Sequence, residues 1–357
     1  MGTAKLKAGI LGLDRRGAAL VEALERTDSF EVLAVADRDM QHAEKVADLW
    51  ACPCFDDYRQ FIVQNRFDCL FVIAGLHSCL EHVRLALKNG VHVLKLPPMA
   101  RSFEEAASLV DLANSHQVRF DVATPLRCSD SYPALHVFQQ ETPLDKPFLI
   151  RAQCDIGMLP PEVEEGVPLH PDHELAWVTD QTLAGGGVLL HHGYEMLDQI
   201  VSLFGLPQQV YALCSSLTSD NPQLHHLTED SALVTLRFGE RLMADLVALR
   251  HWDARDNYEF LRIHGREQVA YVDSEQLCIC DTRGNSQERT QFTYDSIATW
   301  HHLLDSYGMS LSHPKQHPFC SGHHSNQAVM AVMEAAYLSA RTGSPEEPSR
   351  ILRLGTR

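Results

Sequence analysis

The sequence predicts a two-domain α/β protein: an N-terminal doubly wound parallel sheet, followed by an α/β domain with a large, mostly antiparallel open sheet. Its length of 357 residues is typical of two domains. From Leu6 to Val122, apolar strand-like runs alternate with helical patterns, which indicates right-handed βαβ crossovers. After Pro147, strand patterns follow one another across short turns such as Gly239-Glu240, which favours antiparallel pairing. We therefore divide the chain into residues 1–123, 124–343 and a C-terminal tail, 344–357.

The individual elements follow from hydrophobic periodicity and from turn residues. In the first domain, strands are predicted at 6–11, 30–36, 69–73, 91–94 and 118–122, and helices at 18–24, 41–49, 58–65, 81–88 and 103–115. In the second domain, strands are predicted at 148–154, 209–213, 231–238, 241–249, 259–264 and 268–272, and helices at 188–204 and 325–341. The helix at 188–204 is predicted to be continuous and follows Gly185-Gly186-Gly187.

Composition and charge exclude several classes of protein. Hydrophobic residues make up 45% of the chain and charged residues 22%, which is ordinary for a globular protein. The formal charge of −17 disfavours a nucleic acid or an anionic membrane as partner. No apolar run approaches the roughly 18–20 residues of a membrane span, and the N-terminus lacks the pattern of a secretory signal. With ten scattered cysteines and no Cys-x-x-Cys, we expect reduced thiols and a cytoplasmic location.

A glycine turn at the end of the first strand predicts a dinucleotide site. Gly12-Leu13-Asp14-Arg15-Arg16-Gly17 lies between a strand and a helix, and Asp37 ends the next strand. This is the layout of the Rossmann fingerprint, in which the helix N-terminus faces the pyrophosphate and the acidic residue binds the adenine ribose. Asp37 favours NAD, because a carboxylate repels a 2′-phosphate, whereas the neighbouring Arg38 would tolerate NADP. Because ligands bind at the carboxyl ends of such strands, the cofactor site is also expected to include Ala74, Gly75, Pro97 and Pro98.

Asp14 departs from this fingerprint, since it stands where the middle glycine is expected. A carboxylate about 5 Å from one pyrophosphate charge costs on the order of 3 kcal/mol at an effective dielectric constant of 20. Arg15 and Arg16 follow at once and would offset this repulsion. Alternatively, Asp14 caps the helix that begins there.

From residues 5 to 343 the chain resembles the glucose–fructose oxidoreductase/inositol dehydrogenase/MocA (Gfo/Idh/MocA) family. The residues that carry the resemblance are Gly9-Ile10-Leu11-Gly12; Val91-His92-Val93-Leu94 leading to Pro98-Met99-Ala100; Trp177, Asp180, Ala184-Gly185-Gly186-Gly187, Gly193, Leu197-Asp198 and Phe204-Gly205; and Glu334-Ala335-Ala336-Tyr337, Ser339-Ala340 and Thr342-Gly343. The resemblance implies a Rossmann domain, a second domain whose open sheet forms the interface of a homo-oligomer, and oxidation or reduction of sugars or polyols with NAD or NADP.

The catalytic positions depart from this family. Its members typically carry Glu-Lys-Pro where this chain has Leu96-Pro97-Pro98, so the lysine that polarises the substrate oxygen is absent. Alignment on Gly193 places His191 where the family has aspartate and Glu195 where it has histidine. On a continuous helix, residues four apart share a face, so His191 and Glu195 are the expected acid/base pair. Lys95 is a further candidate, although its loop would have to rearrange to bring it to the substrate.

Other residues are secondary candidates. Arg127 follows the last strand of the first domain, near where the family contacts substrate, and a surface salt bridge is the competing interpretation. Trp177 and His192 are further candidates for the substrate site. His191 and Glu195 also have the spacing of metal ligands, to which several other histidines could add: His170, His173, His301, His302, His323 and His324. No compact metal motif is present, and we predict none.

The sequence therefore predicts a cytoplasmic NAD(P)-dependent oxidoreductase, dimeric or tetrameric, that acts on a sugar, a polyol or a related small hydroxy compound. The loss of three usual catalytic groups leaves two alternatives open. One is a catalytically inactive binding or regulatory protein with a dehydrogenase fold. The other is a metal-assisted lyase, isomerase or hydrolase.

Overall fold

The computed structural model describes residues 5–157, 177–216, 228–251, 257–319 and 321–355, without the side chains of His323 and His324. The chain forms two compact units, each discontinuous in sequence. The first unit contains residues 1–100, 104–128 and 295–326. The second contains residues 101–103, 129–294 and 327–357. The two units are defined by which residues pack together. The division of the chain into the continuous domains 1–123 and 124–343 and the tail 344–357 stays a prediction.

The strands and helices of the described residues are numbered in chain order. The strands are β1 (Leu6–Leu11), β2 (Phe30–Ala36), β3 (Cys54–Phe55), β4 (Cys69–Val72), β5 (His92–Lys95), β6 (Phe120–Val122), β7 (Leu149–Gly157), β8 (Gln209–Ser215), β9 (Ser231–Phe238), β10 (Leu242–His251), β11 (Tyr258–His264), β12 (Gln268–Val272), β13 (Gln276–Asp281) and β14 (Ser286–Gln291). The helices are α1 (Ala18–Arg26), α2 (Met40–Ala47), α3 (Tyr58–Gln64), α4 (Leu76–Lys88), α5 (Phe103–Ser115), α6 (Ser131–Glu141), α7 (Gln181–Ala184), α8 (Val188–His191), α9 (Gly193–Phe204), α10 (Ser296–Ser312), α11 (His323–Thr342) and α12 (Pro348–Leu354).

The first unit is built on a parallel sheet of strand order β3-β2-β1-β4-β5-β6. This is the Rossmann order, in which the chain reverses direction across the sheet between β1 and β4. Strands β4 and β6 are buried along their whole length, as expected for a sheet covered on both faces. Helix α10 returns to this unit from far along the chain and packs against α1, where Leu303, Leu304 and Tyr307 join the core. The predicted doubly wound domain is confirmed.

The second unit is built on an eight-stranded sheet of order β14-β13-β12-β11-β7-β10-β9-β8. Neighbouring strands are antiparallel except β7 and β10, which run parallel. Helices α6, α8 and α9 pack against strands of this sheet, and alternate residues such as Ala232, Val234 and Leu236 of β9 are buried. Leu233, between them, is 52% exposed, so one face of the sheet is open at this strand. This confirms the predicted mostly antiparallel open sheet.

Several elements differ from the sequence prediction. The helix predicted over 188–204 is two helices, α8 and α9, because the backbone of His192 leaves the helical conformation at φ −124°. Helix α4 begins at Leu76, five residues earlier than predicted. The tail forms the short helix α12, which begins with Pro348 and buries Ile351. Within the described residues, no helix has both the length and the apolar character that a membrane crossing requires.

Candidate functional site

The glycine turn of the first unit depends on Gly12. Its φ of +80° lies in the left-handed region, and an added Cβ would lie only 2.3–2.5 Å from atoms of Ala74. The amide of Gly12 donates to the carbonyl of Ala36 at 2.7 Å, and that of Gly17 donates to the carbonyl of Asp14 at 2.8 Å. These contacts fix the turn beside the ends of β2 and β4.

Asp14 caps the short helical turn that precedes α1. Its Oδ1 accepts from the amide of Arg16 at 3.0 Å, and the Arg16 guanidinium lies 3.3 Å from the same oxygen. The capping role considered from the sequence is therefore present in the structure, and Arg16 offsets the carboxylate charge. Within the described residues, the amides of Asp14 and Arg15 donate to no acceptor. Two backbone donors at a helix N-terminus are suited to an anion such as a pyrophosphate.

Asp37 lies against this turn. Its Oδ2 accepts from the amide of Leu13 at 2.6 Å, and its Oδ1 accepts from the amide of Asp39 at 2.9 Å. The guanidinium of Arg38 lies over the ring of Tyr58, 5.8 Å from its centre. Asp37 is therefore held against the turn by two backbone amides, and Arg38 has an aromatic contact of its own.

The remaining predicted cofactor residues follow neighbouring strands of the same sheet. The amide of Ala74 donates to the carbonyl of Leu11 at 3.0 Å, and Gly75 is the N-cap of α4. Pro97 and Pro98, joined by a cis peptide bond, follow β5. The residues expected to bind the cofactor thus follow β1, β2, β4 and β5, which are adjacent in the sheet. This set fits a dinucleotide, because it combines backbone donors for the pyrophosphate with a carboxylate for the ribose.

Lys95, proposed as a catalytic candidate, is buried in this loop. Its ammonium donates to the carbonyl of Leu96 at 2.9 Å and to that of Pro98 at 3.0 Å. Burial lowers the pKa of Lys95 from its usual value. In the structure Lys95 therefore ties together the loop that carries Pro97 and Pro98.

In the second unit, Glu229 anchors the start of helix α8. Its carboxylate accepts from the amides of Gly187 at 2.7 Å and Leu189 at 3.1 Å, and from the Tyr337 hydroxyl at 2.7 Å. A Cβ on Gly187 would lie 2.1 Å from the carbonyl oxygen of Glu229. The third glycine of the triple-glycine segment is therefore required by close packing against Glu229.

His191 ends helix α8 and is 5% exposed. Its Nε2 lies 3.1 Å from the carbonyl oxygen of Ala184. A carbonyl oxygen can only accept, so this contact assigns the proton of the neutral imidazole to Nε2 and makes Nδ1 the basic nitrogen. The indole of Trp177, also buried, contacts the His191 ring edge-on, with 5.5 Å between ring centres. The predicted substrate residue Trp177 is thus a packing partner of the predicted catalytic histidine.

The break at His192 places the two residues of the predicted acid/base pair, His191 and Glu195, in different helices. His191 is the last residue of α8, whereas Glu195 lies in the first turn of α9. The expectation that they share one helical face was wrong, because it assumed a continuous helix. His192 itself is the residue at which the backbone turns.

The sequence reasoning missed an acidic cluster around Tyr132. The Tyr132 hydroxyl is buried and has no hydrogen-bond partner within the described residues. Burial first, and then the carboxylates of Glu259, Asp273 and Glu195, raise the pKa of Tyr132. Burial, with Asp273 nearby, raises the pKa of Glu259 to about 7. A usable signal existed, because Glu259 has the same strand parity as the buried Leu261 and Ile263.

Two other predictions concern single side chains. Arg127 belongs to the first unit, where its guanidinium donates to the hydroxyl of Ser325 at 2.8 Å. His301 lies 3.4 Å from the carboxylate of Asp305. Within the described part of the chain, no group of three or more histidine, cysteine, aspartate or glutamate side chains is placed to hold a metal ion. His170 and His173 lie outside the described residues.

Comparison with known proteins decides the family. Residues 6–124 match the profile described as "Oxidoreductase family, NAD-binding Rossmann fold", and residues 147–270 match the "GFO/IDH/MocA C-terminal domain". The chain belongs to the Gfo/Idh/MocA family. Its first unit accordingly contains an NAD-binding Rossmann domain, in agreement with the glycine turn and Asp37.

This Gfo/Idh/MocA chain is distantly related to its named relatives. It is 25% identical over 207 residues to D-xylose 1-dehydrogenase (NADP(+)) 2 of Haloferax volcanii. The aligned segment covers 57% of this chain and 59% of that protein. The chain thus spans less than two thirds of the length of this curated relative.

Two solved structures show the same fold. An oxidoreductase from Agrobacterium radiobacter, in complex with NAD+, L-tartaric acid and magnesium, superposes with a TM-score of 0.78 at 15% identity, covering 98% of this chain and all of that one. A levoglucosan dehydrogenase, in complex with NADH and levoglucosan, superposes with a TM-score of 0.79 at 17% identity, covering 96% of this chain and 99% of that one.

Proposed function

We propose that this Gfo/Idh/MocA chain is an NAD(P)-dependent oxidoreductase that interconverts a hydroxyl and a carbonyl group on a sugar, a polyol or a related small hydroxy compound. The observation that carries the proposal is the Gly12–Gly17 turn with the Asp37 carboxylate against it. The names of similar proteins support the substrate class, since they include a xylose dehydrogenase and a levoglucosan dehydrogenase. Bound nicotinamide would supply the hydride chemistry.

Asp37 supports NAD as the preferred cofactor. A 2′-phosphate at the adenine ribose would meet the Asp37 carboxylate, whose oxygens accept from the amides of Leu13 and Asp39. The ribose hydroxyls of NAD would instead donate to it. Arg38 lies next in sequence, so NADP is the weaker ligand in this proposal and not an excluded one.

His191 and Glu195 are proposed to handle the substrate proton. Hydroxyl oxidation requires a base, and the contact of Nε2 with Ala184 leaves Nδ1 as the nitrogen of His191 that accepts a proton. Burial first, and then the charges of Glu259, Asp273 and Glu195, raise the pKa of Tyr132, so Glu195 belongs to the acidic cluster around Tyr132. Four further residues remain proposed members of the site: Lys95, Arg127, Trp177 and His192. The proposed role of Lys95 is to hold the loop that carries Pro97.

Two measurements test the proposed function. First, NAD at millimolar concentration is expected to raise the Tm, and NADP to raise it less. Second, a screen of sugars and polyols is expected to find NAD-dependent turnover that falls at least about 100-fold in His191→Ala, the usual size of an acid/base contribution. A thermal shift without turnover would support an inactive cofactor-binding protein. No thermal shift with either cofactor would reject the proposal.

Oligomerisation and location complete the proposal. We propose a homo-oligomer that associates through the open face of the second sheet, where Leu213 is 55% exposed, Leu233 52% and Met243 51%. The cytoplasmic location rests on the thiols, because no disulfide bond joins the nine cysteines of the described residues.

A further inference from the structure

The second unit has a cavity of about 810 Å³ at the β11–β14 end of its sheet. Four arginines line it: Arg262 on β11, Arg266 in the turn before β12, Arg283 in the turn before β14, and Arg289 on β14. The volume lies within the range of small-molecule sites. The predicted cofactor residues belong to the other unit, and none of them lines this cavity.

The strand register explains why the four arginines meet. Arg262 pairs with Tyr271, Tyr271 with Cys278 and Cys278 with Arg289, so Arg262 and Arg289 lie in one cross-strand row on one face. The start of β12 pairs with the end of β13, which brings the β11–β12 turn beside the β13–β14 turn. Arg266 and Arg283 therefore approach the same cavity from adjacent turns.

Within the described residues these guanidiniums have no carboxylate partner, in contrast to Arg16, Arg119 and Arg250. In the same part of the chain that the structure describes, no hydrogen bond or ion pair is made by the side chains of Arg262, Arg266 and Arg283. The guanidinium of Arg289 donates to the side-chain oxygen of Gln291 when the Gln291 amide is placed with its oxygen towards Arg289. Asp281 also lines the cavity, but its carboxylate accepts from Asn285 and from the amide of Arg283.

This arrangement is not a consequence of too few acidic residues. The chain carries 47 aspartates and glutamates against 30 lysines and arginines. In the same sheet, Arg250 is paired with Asp230 at 2.7 Å and Arg151 with Asp245 at 3.4 Å. Burial, and then the positive charges of Arg262 and Arg151, lower the pKa of His264, which also lines the cavity. The residues that line the cavity thus include four arginines and one carboxylate, that of Asp281, in a protein with a formal charge of −17.

We propose that this cavity binds a small molecule carrying two or more phosphate groups. A guanidinium presents a planar set of donors that matches a phosphate, and several such groups around one cavity suit a ligand with several negative charges. Such a ligand would neutralise charges that the chain itself leaves without carboxylate partners.

The test is calorimetric titration of inorganic pyrophosphate into the full-length protein at low ionic strength, in the presence of saturating NAD so that the glycine turn is occupied. The double variant Arg262→Gln/Arg283→Gln is expected to weaken pyrophosphate binding at least about 100-fold, because each charge-assisted contact contributes about tenfold or more. Both residues are exposed, so the variant is expected to keep the wild-type Tm.

The matched control is Arg237→Gln. Arg237 is exposed and does not line the cavity. It lies on β9, three strands from β11. It shares the sheet face of the cavity residue His264, as the cross-strand pairs show: Arg237–Met243, Met243–Leu149 and Leu149–His264. This variant is expected to bind pyrophosphate like the wild type. No binding to the wild type, or an equal loss in the control and the double variant, would overturn the proposal. Citrate binding as tight as pyrophosphate binding would overturn its phosphate specificity.

Discussion

In the glycine turn, Gly12 combines a left-handed φ with a close contact to Ala74. Gly12→Ala is expected to lower the free energy of unfolding by about 2–4 kcal/mol, because it adds both an unfavourable φ and a clash with Ala74. Gly90→Ala is the matched control, since Gly90 has nearly the same φ, +78°, and open space around its Cα. The control should cost only about 1 kcal/mol. Urea unfolding measures both, and equal costs would mean that the contact with Ala74 is unimportant.

Glu259 predicts a pH dependence of stability. Its pKa is raised from 4.5 to about 7, so the folded protein favours the protonated carboxyl. The stability that this preference contributes is fully present below pH 4.5 and is lost as the pH rises through about 7. The shift corresponds to at most about 3–4 kcal/mol. Glu259→Gln removes this titration, so the variant should gain stability relative to the wild type between pH 5 and pH 8.

Unfolding at a series of pH values tests this prediction, with Glu267→Gln as the control. Glu267 is exposed in the turn after β11, so its variant should follow the wild-type pH profile. A Glu259→Gln profile parallel to that of the wild type would show that the Glu259 carboxyl is ordinarily solvated.

These residues also show what sequence alone can predict at this scale. The cap formed by Asp14 was foreseeable, because its partner, the amide of Arg16, is two residues away. For Glu259, strand parity indicates the buried face, but its neighbours Asp273 and Tyr132 were not foreseeable, because other elements supply them. The role of Gly187 likewise depends on Glu229, 42 residues away.

Among the elements, helix α8 depends on Glu229 and Tyr337. Glu229→Ala is expected to cost about 3–5 kcal/mol, because it leaves the buried amides of Gly187 and Leu189 without their acceptor. Tyr337→Phe removes a hydroxyl that donates to Glu229 and accepts from the amide of Leu190, and should cost about 1–2 kcal/mol. The double variant should cost less than the sum of the single variants, because the two side chains share a hydrogen bond.

Chemical denaturation of the single and double variants measures this coupling, with Glu267→Ala as an exposed carboxylate control. Strict additivity would contradict a shared cap at α8. Because α8 carries His191, a second readout is available. The turnover proposed above should fall in Tyr337→Phe even at temperatures where the variant is fully folded.

The elements that the sequence missed have physical explanations. The apolar pattern continues across His192, so periodicity does not reveal the break between α8 and α9. Strand β14 is exposed along its whole length and shows no alternation, since it lies at the edge of the sheet. Helix α10 packs on α1, more than 250 residues earlier in the chain, and a local pattern carries no information on such a partner.

For the molecule as a whole, the sequence predicted the doubly wound sheet of the first unit and, after β1, the glycine turn that we propose binds the cofactor. It could not locate the arginine-lined cavity, because the four arginines belong to two strands and two turns that only the register brings together. Nor could it establish the acid/base geometry, which depends on where α8 ends.

The open face of the second sheet supports a last prediction, about assembly. Leu213 pairs with Leu233 and Leu233 with Val247, so an apolar row crosses β8, β9 and β10, and its two leucines are more than half exposed. If two copies associate through this row, Leu233→Asp would place a charge in the interface and should weaken association at least about 100-fold, or about 2.7 kcal/mol. Sedimentation should then show a shift from an oligomer towards the 40.0 kDa chain. Val63→Asp, at a residue 63% exposed on α3 of the first unit, should leave the oligomer intact, whereas a wild type that sediments as a monomer would contradict the prediction.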